Sequence, residues 1–305
     1  MQFKIVAPRR HVDNVGSVLT SCIQTGYVGN GDSLVTRFIS VLALGLIITI
    51  TCLVGAQNFG RRWRNRPMPD RSEFPMWENK PEFSNDVFTF ARIRYEPHYF
   101  RGWNGDYPEA DWNISYRLQQ LTSLKVNPNP VSLYLTDPDL PRYPFIFIIA
   151  PRSVIFTDAE AQALRQYLLN GGFLMVDEFW GNEQWNHFYQ QLKRVFPDRE
   201  PKELSLDHEI FHIVYDFQEK PQAVAIHFWR QGYSYHPVPG IEDDPAPHFY
   251  GIFDDQGQMM VLLCYNNDLV DGWERETEEI EYFRRYSERC SFPMGINIIT
   301  YAMTH

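Results

Sequence analysis

Beyond Val87 short apolar runs alternate with amphipathic stretches, the pattern produced by a sheet covered with helices on both faces. Residues 88–95 predict a first strand. Residues 111–124 predict a helix, with Asp111 as N-cap and Ile114, Leu118 and Leu121 on one face. Two short buried strands follow at 132–136 and 145–150. Thr157 and Glu160 have the spacing of a capping box and open a helix to Leu169, where Gly171 and Gly172 stop it. A strand at 173–176 and a helix at 183–196 come next, the helix turning Trp185, Phe188, Leu192 and Val195 inward. Residues 223–229, 249–253 and 259–265 read as strands, the last two joined by a turn at 254–257 and extending the sheet's edge. The acid-rich stretch 274–289 predicts a solvated helix or loop, and an apolar helix at 293–303 follows it. The class is α/β with a mostly parallel sheet.

The first 86 residues break this pattern. Residues 38–56 carry no charge and are dominated by Ile, Leu, Val and Ala, close to the roughly 20 residues that span a bilayer. Arg37 precedes the run, and Val54, Gly55 and Ala56 set small residues before Gln57, as a signal peptidase requires. Arg61, Arg62, Arg64 and Arg66 crowd its far side and pull the orientation the other way. The expected organisation is an unstructured or over-long start at 1–34 and a signal peptide or transmembrane segment at 35–56. A Pro- and Arg-rich linker at 57–86 leads to one α/β domain at 87–305. The N-terminal segment would contact the membrane, and the domain would lie outside the cytoplasm, periplasmic or membrane-anchored.

Charge sharpens the division. The net charge of -10 is uneven, with 8 basic and 2 acidic residues up to Arg66 against 20 basic and 36 acidic beyond it. With sixteen excess acids beyond Arg66, this part of the chain has no general basic surface for phosphates, so nucleic acid is excluded as a partner. The four cysteines, Cys22, Cys52, Cys264 and Cys290, include no C-x-x-C pair. Cys264 lies in an apolar run where a thiol behaves as a small hydrophobe, and its pairing with Cys290 is left open.

Three stretches carry a family likeness: Phe88 to Tyr95, Trp112 to Leu118, and Gly171-Gly172-Phe173-Leu174-Met175-Val176-Asp177-Glu178-Phe179-Trp180. It continues through Asp207-His208-Glu209-Ile210-Phe211-His212, Tyr250-Gly251-Ile252-Phe253-Asp254-Asp255 and the final residues from Met294. In these the chain resembles a bacterial family known as domain of unknown function 4159, over 87–305. The resemblance implies a three-layer sandwich like that of class I glutamine amidotransferases, a flavodoxin-like arrangement, in usually exported proteins with no established activity. Two positions depart from the family pattern, Glu178 standing for a second Asp and Glu209 for a Pro.

In an open α/β sheet, ligands sit outside the carboxyl ends of the strands. There the sequence offers Asp137, Arg152 and Ser153, and then Asp177, Glu178 and Trp180. Paired carboxylates beside an aromatic ring suit a small polar ligand such as a carbohydrate, because the acids accept hydroxyl hydrogen bonds and the ring covers the apolar sugar face. The plain alternative has Asp177 or Glu178 capping the helix that starts near Gly181. Glutaminase chemistry needs a Cys or Ser nucleophile on a strand-to-helix elbow, and Ser153 lacks the flanking glycines.

His208-Glu209-Ile210-Phe211-His212 matches H-E-x-x-H, which would bring zinc to His208 and His212 if it were helical, but no third ligand follows. Without zinc, Asp207 or Asp177 could orient His208 as a general base. The functional expectation is an exported, non-amidotransferase module that binds a ligand, with Asp137, Arg152, Trp180, Asp207 and His212 as contacts, or that serves envelope protein partners. The alternative is a hydrolase of sugar or cell-wall material acting through Asp177, Glu178 and His208, with or without a metal. The aromatic residues Tyr95, His98, Tyr99, Phe100, Trp103 and Tyr107 could roof such a pocket.

Overall fold

The five longest apolar runs become the centre of a seven-stranded sheet. A computed structural model describes residues 69–83, 86–96, 102–274, 276 and 278–305, all within the compact unit Met68–His305. The segments expected at 1–34 and 35–56, and His98, Tyr99 and Phe100, lie outside the described residues. Strands are β1 (Val87–Phe88), β2 (Ala91–Arg94), β3 (Lys125–Val126), β4 (Val131–Tyr134), β5 (Phe145–Ile149), β6 (Phe173–Phe179), β7 (Lys202–Glu203), β8 (His248–Phe253) and β9 (Met259–Tyr265). The main sheet has the order β4-β2-β5-β6-β9-β8-β7, with β1 and β3 forming a separate pair. The five strands from β4 to β9 run parallel, and β8 and β7 add to them antiparallel.

Helices are α1 (Glu109–Leu121), α2 (Asp158–Leu169), α3 (Gly181–Val195), α4 (Ile226–Trp229), α5 (Leu269–Glu274), α6 (Ile280–Tyr282) and α7 (Phe292–Thr304), with a π-helical segment, Phe283–Ser291, joining the last two. Successive side chains of a strand point to opposite faces, and β5 shows what each face meets. Phe145, Phe147 and Ile149 pack with Ile114 and Leu118 of α1, Trp273 of α5 and Ile296 of α7. Ile146 and Ile148 pack with Leu164 of α2 and with Phe188 and Leu192 of α3. The sheet is therefore the middle of three layers.

Local chemistry sets the boundaries. The amide of Glu160 donates to Thr157 Oγ1 at 3.2 Å and the amide of Thr157 to Glu160 Oε2 at 2.8 Å, the expected capping box. Gly171 turns α2 off at φ 93, and a Cβ on Gly172 would sit 2.3 Å from the Tyr167 ring, so only glycine fits there.

Four expectations are corrected. The first strand is broken at Thr89 and Phe90, so Val87–Phe88 pairs with Lys125–Val126 outside the main sheet. Asp111 is not an N-cap: α1 starts two residues earlier and turns Asp111 inward onto Arg92. Residues 223–229 do not form a strand, because their amides are taken by side chains. Ala223 donates to Asn267 Oδ1 and Ile226 to Asp271 Oδ2, leaving a single helical turn, Ile226–Trp229. The acid-rich stretch is not wholly solvated, since Tyr286, Ser287 and Cys290 of the π-helix are buried. Part of the expected linker packs on the domain: Trp77 Nε1 donates to the Val126 carbonyl at 2.7 Å, and Phe74 lies 4.8 Å from Trp112.

Candidate functional site

From β2 the chain turns one way to β4 and the other way to β5, so a crevice opens between the carboxyl ends of β2 and β5, where α/β sheets hold their ligands. Tyr95 spans the gap, its hydroxyl donating to the Ile149 carbonyl at 2.7 Å. The backbone around the crevice is strained. Among the described residues, the non-glycine positions with φ in the left-handed region are Asp106 (56°), Ala150 (51°), Glu178 (61°) and Asn266 (54°). Ala150, Glu178 and Asn266 mark the ends of β5, β6 and β9, and Asp106 lies in the turn before α1. A bulky residue in this conformation costs of order 1–3 kcal/mol, and such strain clusters where function needs it.

At Glu178 the cause is a bulge. The β6–β9 register runs Val176 to Leu263 and then Phe179 to Tyr265, so Asp177 and Glu178 together face Cys264. A bulge re-aims side chains, and Glu178 meets Arg152, whose two terminal nitrogens both lie 3.3 Å from Oε1. Neither acid caps α3. Trp180 occupies that place without a side-chain cap bond, the amide of Gly181 being taken by Asn266 Oδ1 at 3.0 Å. Asp177, fully buried, instead anchors α5, its Oδ2 accepting the Val270 amide at 2.9 Å.

Beyond β9 the wall is acidic. Asp268, Asp271 and Glu274 are buried, and oxygens of Asp106, Asp271 and Glu274 lie within 4.8 Å of one another. This all-oxygen set has the chemistry to hold a hard divalent cation. His236 completes the wall, its ring stacked on Trp180 at 4.4 Å and 15°. Its Nε2 accepts the Ala225 amide and lies 3.1 Å from Asp268 Oδ2. Burial first, then the nearby Glu178 and Asp271, push the Asp268 carboxyl well above the usual range.

Burial also lifts Asp177, to about 7, against the lowering effect of the Val270 amide. The folded protein then holds this proton more tightly than the unfolded chain. Stability from this group is greatest below about pH 4 and declines as the pH rises to about 7, beyond which it is level. Asp177→Asn, which keeps the acceptor for Val270, should make the fall of unfolding free energy between pH 4 and 7 shallower. An unchanged slope in urea titrations would refute this assignment.

Arg152 and Trp180 also line a cleft of about 340 Å3, together with Glu183, Gln184, His187, Val238 and Pro239. Trp180 is buried and its Nε1 has no acceptor among the described residues. The structure thus brings together Asp177, Glu178, Arg152 and Trp180 of the residues expected from sequence. It does not bring His208. That ring lies 5.8 Å from Tyr301 and 6.5 Å from Phe253, at the amino ends of β6 and β9. The seven residues of β6 separate it from Glu178 by roughly 20 Å.

The zinc expectation meets a similar obstacle. Glu209–Phe211 is one 3-10 turn rather than an α-helix, His208 Nδ1 accepts the Ile210 amide, and both nitrogens of His212 are engaged, by Asp216 and by the Leu206 carbonyl at 2.7 Å. Asp207 is exposed beside them. Asp137 is half-buried, its Oδ2 accepting the Tyr134 amide in the turn after the outermost strand, β4. The rings of Trp103 and Tyr107 meet at 5.4 Å, tilted by 59°, and Trp103 packs on the face that holds Tyr95.

A family model described as domain of unknown function (DUF4159) matches residues 89–303. No curated protein matches the chain.

Proposed function

The chain belongs to the DUF4159 family, whose description assigns no activity, and we propose that it binds a small hydroxyl-rich ligand, such as a carbohydrate, in the crevice at the carboxyl ends of β5, β6 and β9. The observation that carries this reading is Glu178, held at φ 61 by a bulge and set against Arg152, which lines a cleft. A paired carboxylate and guanidinium offer acceptors and donors at one point, as neighbouring hydroxyls require, and Trp180 adds an aromatic wall.

We read the domain as an amidotransferase-like sandwich without glutaminase chemistry. The bulged end of β6 carries carboxylates, Asp177 and Glu178, and the turn into α3 is Trp180, so neither supplies a nucleophile. Cys264 and Cys290 are free and buried, and burial pushes both thiols up, away from reactivity. Ser153 is buried in a 3-10 turn. Hydrolysis through Asp177, Glu178 and His208 draws no support from a histidine at the opposite end of the sheet. The apolar stretch 38–56 supports export, and an envelope-assembly role remains the companion reading.

Thermal shift with neutral sugars, peptidoglycan fragments and divalent ions tests the proposal. A hydroxyl-rich ligand should raise the melting temperature of the full chain, and Glu178→Gln should abolish the rise. No shift with any ligand class would overturn the binding reading.

A further inference from the structure

The π-helical segment Phe283–Ser291 and the loop at 217–222 line a second, larger cleft, about 780 Å3, that shares no lining residue with the Arg152 cleft. Its walls carry Lys220, Arg284, Arg285 and Arg289 against Glu219 and Glu281, an excess of two positive charges in a domain with a large excess of acids. Lys220 is tied to Glu203 at 2.7 Å. Arg284, Arg285 and Arg289 are exposed and have no carboxylate partner among the described residues, Arg285 only lying over the Tyr286 ring.

The helix type gathers these residues. In an α-helix at 3.6 residues per turn, positions five apart point about 140° away from each other. In a π-helix, which bonds i to i+5 and winds more slowly, positions five apart are rotated by only about 50°. Residues that this segment contributes to the cleft fall into such pairs: Arg284 with Arg289, and Arg285 with Cys290. An α-helical register would turn Arg289 away from Arg284. π-Helical turns are rare and are found mostly at functional sites.

We propose that this cleft is an anion site for a small molecule bearing a dianionic oxyanion group, a phosphate monoester or a dicarboxylate, gripped by Arg284, Arg285 and Arg289. The forked guanidinium matches the paired oxygens of either group, and the charge of about -1.5 to -2 on a phosphate monoester at neutral pH would be met by three arginines that have no carboxylate partner among the described residues. A concave site of this volume suits a compact ligand rather than a polymer.

Calorimetric titration of the full chain with inorganic phosphate and, separately, with succinate, at fixed ionic strength, tests the assignment. One of the two should bind saturably, and which one distinguishes the phosphate source from the carboxylate source. The double variant Arg284→Gln and Arg289→Gln should weaken that binding at least tenfold with an unchanged melting temperature, while Arg142→Gln, on a distant exposed pair, should leave it intact. Saturable binding by neither anion, or binding that the double variant retains, would overturn the site.

Discussion

Arg92→Ala should cost the domain about 3–5 kcal/mol, the range for removing one partner of a buried ion pair. Arg92 and Asp111 are both wholly buried, with Arg92 Nε 3.0 and 3.1 Å from the two carboxylate oxygens and Nη2 in closer contact still. The other terminal nitrogen donates to the carbonyls of Trp103 and Gly105 at 3.2 and 2.7 Å. Alanine would strand a carboxylate without a counter-ion and leave two carbonyls without their donor. The desolvation cost of that carboxylate outweighs the packing lost with the side chain, so the double change Arg92→Met with Asp111→Leu should be milder than Arg92→Ala alone. Urea midpoints of the two variants measure the difference, and a loss under about 1 kcal/mol for Arg92→Ala would show the pair to be better solvated than its burial implies. Because Gly105 neighbours Asp106, ligand binding in the crevice should fall along with stability.

Trp273→Ala should cost a similar amount, about 3–5 kcal/mol, by cavity formation. The indole is wholly buried on α5, 6.2 Å from Phe90 and 5.8 Å from Phe147, and Gly295 of α7 comes so close that a Cβ there would lie 2.7 Å from the ring. Its Nε1 donates to the Ser291 carbonyl at 2.8 Å, and its own carbonyl accepts from Asn113 of α1 at 2.8 Å. The first of these bonds is lost with the side chain, and the three helices part around the void. Trp273→Phe, which retains most of the volume, should cost less than half as much by the same denaturation. Equal losses for Ala and Phe would assign the effect to the hydrogen bond instead of the cavity.

The sequence made some of this architecture legible and hid the rest for identifiable reasons. The apolar runs of β5, β6 and β9 are buried on both faces and need no partner to be recognised, and the capping box at Thr157 is a local signal with a local cause. The helical turn at 226–229 depends on amides captured by Asn267, Asp271 and His236, residues 11 to 45 positions away. No periodicity records such contacts.

The site divides in the same way. Asp177, Glu178, Arg152 and Trp180 follow strands and were found by that rule. Asp268, Asp271 and Glu274 follow β9 and obey it equally, but reading 259–265 as the edge of the sheet hid them, because only an interior parallel strand delivers its following loop to the crevice. His236, between Tyr235 and Pro237, carries no spacing signal at all. His208 had a motif, and the motif lay on the wrong kind of turn.

The order in which the chain visits its sheet also fixes when the crevice comes into being. Leu174 of β6 meets Val261 of β9 across 87 positions, a longer span than any other strand pairing in the sheet. Closing so long a loop costs entropy before the pairing returns anything, which slows folding. Glu178 and the acids at 268–274 therefore become neighbours only when that pairing is made. A chain still emerging during synthesis can hold β2, β5 and β6 in register and yet have no binding site, so competence arrives with the carboxyl-terminal third of the polypeptide and not before.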